Sequence, residues 1–148
     1  FLDLCGVLPD IVTYEMSRVL CFEAVHHRAL MSRELLEHYD KGAAVTFEEY
    51  SRARKLAAAC LSQLDNLFMD ADILLAHSAP AEAPLGNAYT GSPVFNGVCT
   101  LLGLPCVNIP GLVGPAGMPL GIQAIGKPWT DGATLRAAHW VERCLANA

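Results

Sequence analysis

The sequence predicts an α/β fold. A helical hairpin over residues 1–69 is followed, over 70–148, by a small mixed-sheet portion flanked by helices, itself part of a larger sheet. Three observations carry this expectation. Apolar residues recur at helical spacing as far as Phe68. After Asp70 the pattern changes to short apolar runs bounded by glycine and proline. Three such runs make a poor independent sheet, so they fit better inside a wider one.

The elements follow in order. Residues 10–39 hold few breakers, with Asp10 placed to cap a helix and Gly42 to close it. Phe22, Val25, Ala29 and Leu36 lie near one face, although Glu15, Arg18 and Glu23 interrupt the stripe. Thr46 and Glu49 form a capping box for a second helix. Its stripe runs Ala53, Leu56, Ala57, Cys60, Leu61, Leu64, Leu67, Phe68, which reads as core. The stretch 72–76 reads as a short buried strand, and Pro80 and Pro84 extend the loop behind it. Ser92 as N-cap and Pro93 at the first helical position predict a helix over 93–102, stopped by Gly103 and Pro105. Strands follow over 106–109 and 120–125, with a glycine-proline loop over 111–117 between them. Leu120, Ile122 and Ala124 share one strand face. Thr130 or Asp131 caps a last helix that runs to about Ala146, with a stripe of Ala133, Ala137, Trp140, Val141 and Cys144.

Hydrophobic residues make up 53% of the 148 and charged residues 17%, which fits either a dense core or a face buried against a missing neighbour. Net charge is -5, and no basic run interleaves with aromatics, so nucleic acid is not an expected partner. The apolar runs are too short to span a membrane, and the first nine residues do not make a signal peptide. Six scattered cysteines without a C-x-x-C point to a reduced, cytoplasmic setting, with the thiols acting as small hydrophobes. The chain opens at Phe1 rather than methionine, which reads as a fragment, a processed product or a truncated form.

Several motifs fail on inspection. Gly121 to Lys127 matches most of a phosphate-binding loop, but Pro128 stands where a magnesium-binding hydroxyl is needed. Gly111, Gly114 and Gly117 have the wrong spacing for a dinucleotide site. His26 and His27 diverge on a helix, and no His or Cys spacing suits a metal. A nucleophile elbow is missing. His77-Ser78 follows a strand, where active sites of α/β sheets gather, yet a loop histidine bonded to local backbone explains it as well. Asp70 and Asp72 read as a helix end facing water rather than an acid-base pair.

Four stretches carry a resemblance. They are Asp72-Ile73-Leu74-Leu75 with Ser78-Ala79-Pro80 and Ala83-Pro84; Phe95-Asn96 with Thr100 to Pro105 and Ile109-Pro110-Gly111; Met118 to Gly126; and Asp131, Leu135, Ala138 and Glu142. In order and spacing they resemble the C-terminal part of the amidase signature family. The resemblance is strongest from about residue 70 onward and also extends to the glutamine-using subunits of tRNA amidotransferases. On their own physics these residues have structural roles. Gly103 permits a left-handed helix stop, Gly121 and Gly126 keep side chains off a crowded face or turn, and Gln123 should be buried and hydrogen-bonded.

The resemblance implies hydrolysis of a carboxamide through a serine acyl-enzyme, with no metal and no organic cofactor. It also implies that the two serines and the lysine lie in an N-terminal part not present here, so this chain carries no catalytic residue and alone should be inactive. Phe95, Asn96, Cys99 and Thr100 then form one wall of the substrate cavity, with His77 at its rim. His77 stands where proline is usual in the family, and Cys99 where an aromatic is common. Pro93 stands where the amidotransferases hold the substrate's amino group with an aspartate, which speaks against glutamine. The implied partners are the missing N-terminal part, a small amide and further copies of the chain. A stand-alone binding or oligomerisation module reusing the same sheet is the alternative.

Overall fold

The computed structural model describes residues 2–86 and 89–147. The chain divides into two compact units, Phe1–Cys60 and Leu61–Ala148.

The first unit is helical. In place of one helix over 10–39 there are four pieces: α1 (Leu2–Val19), α2 (Cys21–His26), a 3-10 turn (Arg28–Leu30) and α3 (Arg33–Ala44). Asp10 is no cap, because α1 already runs through it and accommodates Pro9 in its interior. The break before α3 is set by Ser32. Its backbone is extended, and its side chain accepts the Leu35 N–H at 3.2 Å, the geometry of an N-cap. Helices α1 and α3 pack with no room to spare. Gly42 of α3 is buried, and a Cβ there would overlap the Thr13 carbonyl. Thr13 and Ser17, on the buried side of α1, turn their hydroxyls back onto the carbonyls of Pro9 (2.8 Å) and Tyr14 (2.7 Å), so this small-residue face needs no outside partner. Helix α4 (Phe47–Ser62) starts at the expected capping box. Thr46 Oγ1 accepts the Glu49 N–H at 3.2 Å, and Glu49 Oε2 accepts the Thr46 N–H at 2.8 Å. The Thr46 N–H, and the Thr46 hydroxyl donating to the same oxygen at 2.8 Å, hold the Glu49 carboxyl below its ordinary range.

The second unit opens with Leu64 and Phe68 buried on and just after the single turn α5 (Leu64–Leu67). Three strands follow, β1 (Leu74–His77), β2 (Cys106–Val113) and β3 (Pro119–Ile125), in the order β1-β3-β2, and both pairings are antiparallel. Strand β2 is longer than its sequence suggests. It absorbs Pro110 and Gly111 through an irregularity between Ile109 and Leu112, where Gly111 takes a positive φ of 124°. The expected loop therefore shrinks to the hairpin turn at Gly114–Met118. Helix α6 (Val94–Leu101) begins with Pro93, not Ser92, at the cap. The Pro93 carbonyl accepts the N–H groups of Asn96 and Gly97. At its other end Gly103 has φ 65°, the Leu104 N–H reaches the Cys99 carbonyl at 2.9 Å and the Gly103 N–H reaches the Thr100 carbonyl at 3.2 Å. This is the left-handed stop expected of Gly103.

Helix α7 (Asp131–Ala146) covers one face of the sheet, where Val107, Ile109, Ile122 and Ala124 meet Ala138 and Val141. The buried residues of α7 are Thr134, Ala138 and Val141, with Leu145 partly buried beside them, so of the predicted stripe Val141 alone is buried. Trp140 is 67% exposed. The prediction follows the helix face that carries Trp140. The helix instead presents small residues to a sheet that approaches closely. Gly126, at the turn into α7, shows the same crowding, because a Cβ there would overlap the Thr134 hydroxyl.

Gly42→Ala is expected to lower stability by about 1–3 kcal/mol, since the new methyl meets backbone rather than a movable side chain. An equilibrium urea titration reads this as an earlier midpoint with an unchanged slope. An unmoved midpoint would show that α1 and α3 separate without cost.

Candidate functional site

Strand β3 builds the site. Its residues alternate between two faces. Ile122 and Ala124 face α7, so Gly121 and Gln123 face the other way. By register Gln123 stands beside Ala76 of β1 and Asn108 of β2, and Ser78 follows the end of β1 with its N–H on the Gly121 carbonyl at 3.1 Å. Gln123 is 2% exposed, and its Nε2 donates to the His77 carbonyl at 3.2 Å. It is thus buried and bonded as its sequence position predicts. The Ser78 hydroxyl donates to Asn108 Oδ1. Both side chains crowd Gly121, where a Cβ would overlap the Asn108 oxygen. A polar floor of Ser78, Asn108 and Gln123 results.

The predicted site residues fall around this floor in three ways. His77 and Phe95 are brought together, with ring centroids 6.2 Å apart. Asn96 Nδ2 donates to the Ser78 carbonyl at 3.2 Å and so ties α6 to the end of β1. His77, Phe95 and Asn96 all stay exposed. Thr100 is also exposed, while Cys99 is 7% exposed and lies against Cys106. Burial, reinforced by Cys106, pushes the Cys99 thiol up to about 12. Burial raises the Cys106 thiol too. Neither is poised as a nucleophile.

Beside Gly121 a groove of about 320 Å³ is bounded by residues 79–84, residues 89–92, Pro119 and Gly121. One residue shaping it has no motif to mark it. The carboxylate of Glu82 accepts the Ala116 N–H on both oxygens at 3.1 Å and the Met118 N–H at 3.1 Å, which pins the loop after β1 to the hairpin turn. Its position between Ala81 and Ala83 gives no hint, because its partners lie 34 and 36 residues away. Among the described residues no group of three or more His, Cys, Asp or Glu could hold a metal ion, and no helix is long and apolar enough to cross a membrane.

A small antiparallel sheet with one helix-covered face and one polar face, flanked by helices, is the class of structure that comparison with known proteins now specifies. No family model matches the chain. The A subunit of the glutamyl-tRNA(Gln) amidotransferase of Cereibacter sphaeroides is 31% identical over 125 residues, which cover 78% of this chain and 26% of that protein. A crystal structure of an amidase superposes with a TM-score of 0.84 at 26% identity, covering 95% of this chain and 35% of the amidase. A bacterial aryl acylamidase of the amidase signature family shares the fold, with a TM-score of 0.59 at 20% identity over 92% of this chain and 34% of the acylamidase. The chain is a homologue of the amidase signature enzymes and of the amidotransferase subunits related to them. It spans about a quarter of the length of the curated relatives it matches.

The thiols give a test of this geometry. Alkylation of the folded chain at pH 8 is expected to mark the exposed Cys5, Cys21 and Cys144 and to spare Cys99 until denaturant is added. The folded pKa of Cys99 lies above its unfolded value near 9, so its stabilising effect is complete below pH 9 and fades as pH rises toward 12. Mass spectrometry of the alkylated peptides reads the labelling, and rapid modification of Cys99 would contradict its burial.

Proposed function

We propose that the chain is a C-terminal portion of an amidase that hydrolyses a carboxamide C–N bond through a serine acyl-enzyme, and that the catalytic serines and lysine come from sequence outside it. One observation carries the reading. The chain aligns along 78% of its own length with a protein of which it covers only 26%, and it superposes on a third of a solved amidase. In this reading the chain supplies a wall and a floor, not the reacting groups. Phe95, Asn96 and Thr100 present exposed side chains from or beside one helical turn, with His77 at the rim and Cys99 beneath them as packing. The Gln123 bond holds the β1 end, and with it His77, in place. The acyl-enzyme step belongs to a serine elsewhere, activated by a neighbouring base. The partner is the rest of the amidase, and the substrate is a small amide.

A fluorophosphonate probe, which reacts with activated serines, is expected to leave the purified chain unlabelled, and a panel of aliphatic and aromatic amides should not turn over. Stoichiometric labelling of one serine in this chain would overturn the reading.

In an enzyme that contains this portion, Phe95→Ala and His77→Ala should change the ranking of kcat/KM among amides of different acyl size by roughly tenfold. Melting temperature should hold within a few degrees, because both side chains are exposed. A lower melting temperature with an unchanged ranking would remove both residues from the wall.

A further inference from the structure

We infer that the groove beside Gly121 is selective for an uncharged, flat group of about the size of one aromatic ring. The groove shares no residue with the wall of Phe95, Asn96, Thr100 and His77, so the inference goes beyond the amidase reading and is tested by binding alone. The charge inventory carries it. Of the described side chains that line the groove, Glu82 alone is of a charged type. Its two oxygens are already committed to the N–H groups of Ala116 and Met118. An incoming ammonium group would have to compete with those bonds. An incoming carboxylate would find no cation and one negative charge. A neutral group meets neither obstacle.

Size and shape narrow the occupant further. The volume, about 320 Å³, falls at the small end of ligand sites. The walls are mostly alanine, glycine and proline, whose side chains cannot close the space. Tyr89, 60% exposed, contributes an aromatic ring against which a flat group could stack. Thr90 and Ser92 offer hydroxyls suited to a neutral carboxamide oxygen or N–H. The absent side chain at Gly121 leaves the groove open to the Ser78–Asn108 floor. An amino acid amide such as glutamine carries an α-ammonium and an α-carboxylate, so it fails on both counts.

The test uses the nitrogen-15-labelled chain, with benzamide, L-glutamine and 4-carbamoylbenzoate as probes in amide-shift titrations. Benzamide is expected to shift the signals of Tyr89, Gly91 and Gly121 saturably. L-glutamine and 4-carbamoylbenzoate should bind at least tenfold more weakly. Tyr89→Ala should weaken benzamide binding several-fold without moving signals outside the groove. Thr90→Arg, an exposed change that adds a cation, should raise the affinity for 4-carbamoylbenzoate at least tenfold. Equal binding of glutamine and benzamide, or benzamide shifts confined to other surfaces, would overturn the inference. The two failures separate cleanly. Serine labelling of this chain sinks the amidase reading whatever the groove binds, and glutamine in the groove sinks the selectivity whatever the serines do.

Discussion

A primary amide buried at the centre of a sheet must find partners, and Gln123 is where this chain meets that demand. Leaving such a group unpaired costs about 1–3 kcal/mol, a large share of the stability of a small unit. Its donor goes to the His77 carbonyl, at the last residue of β1. That bond braces the end of β1 against the middle strand. Ser78 then bonds to Gly121 and Asn108, and Asn96 reaches back to the Ser78 carbonyl. Asn96 thus ties α6 to the end of the strand that Gln123 braces.

The same strand sets the difference between the two sheet faces. On one, Ile122 and Ala124 pack with α7. On the other, Gly121 and Gln123 alternate with them, so removal of a side chain and burial of an amide occur on the same side. A glycine and a glutamine two residues apart are poor strand formers. Their presence in the central strand makes sense only where a polar, close-packed floor is needed.

Much of this is legible in the sequence. The helix stop at Gly103, the capping box of Thr46 and Glu49, the burial of Gln123 and the three strands all depend on local rules, and local rules act the same way in any fold. Sequence and structure part where tertiary contact decides. Bulk usually marks the core, which points to Trp140 and its neighbours on α7, but this sheet approaches so closely that Thr134 and Ala138 suit it better. Helix propensity over 10–39 hides the break before α3, although Ser32 caps it. At the start of α6 Pro93 takes the cap position in place of Ser92, and no side-chain cap forms. Of the candidate site, pattern reaches His77, Phe95 and Asn96, which the fold assembles around Ser78. It does not reach Glu82, whose partners lie in a distant turn.

The bonds of Glu82 have a further chemical consequence. The hairpin turn at Gly114–Met118 directs the N–H groups of Ala116 and Met118 toward one point, and converging backbone donors of this kind attract anions. In this chain that cradle is filled from within by a carboxylate that shares the same polypeptide and so never diffuses away. Chloride, phosphate or a substrate's own carboxylate meets an occupied seat. The anion in this seat is therefore fixed by the covalent sequence rather than drawn from the surroundings.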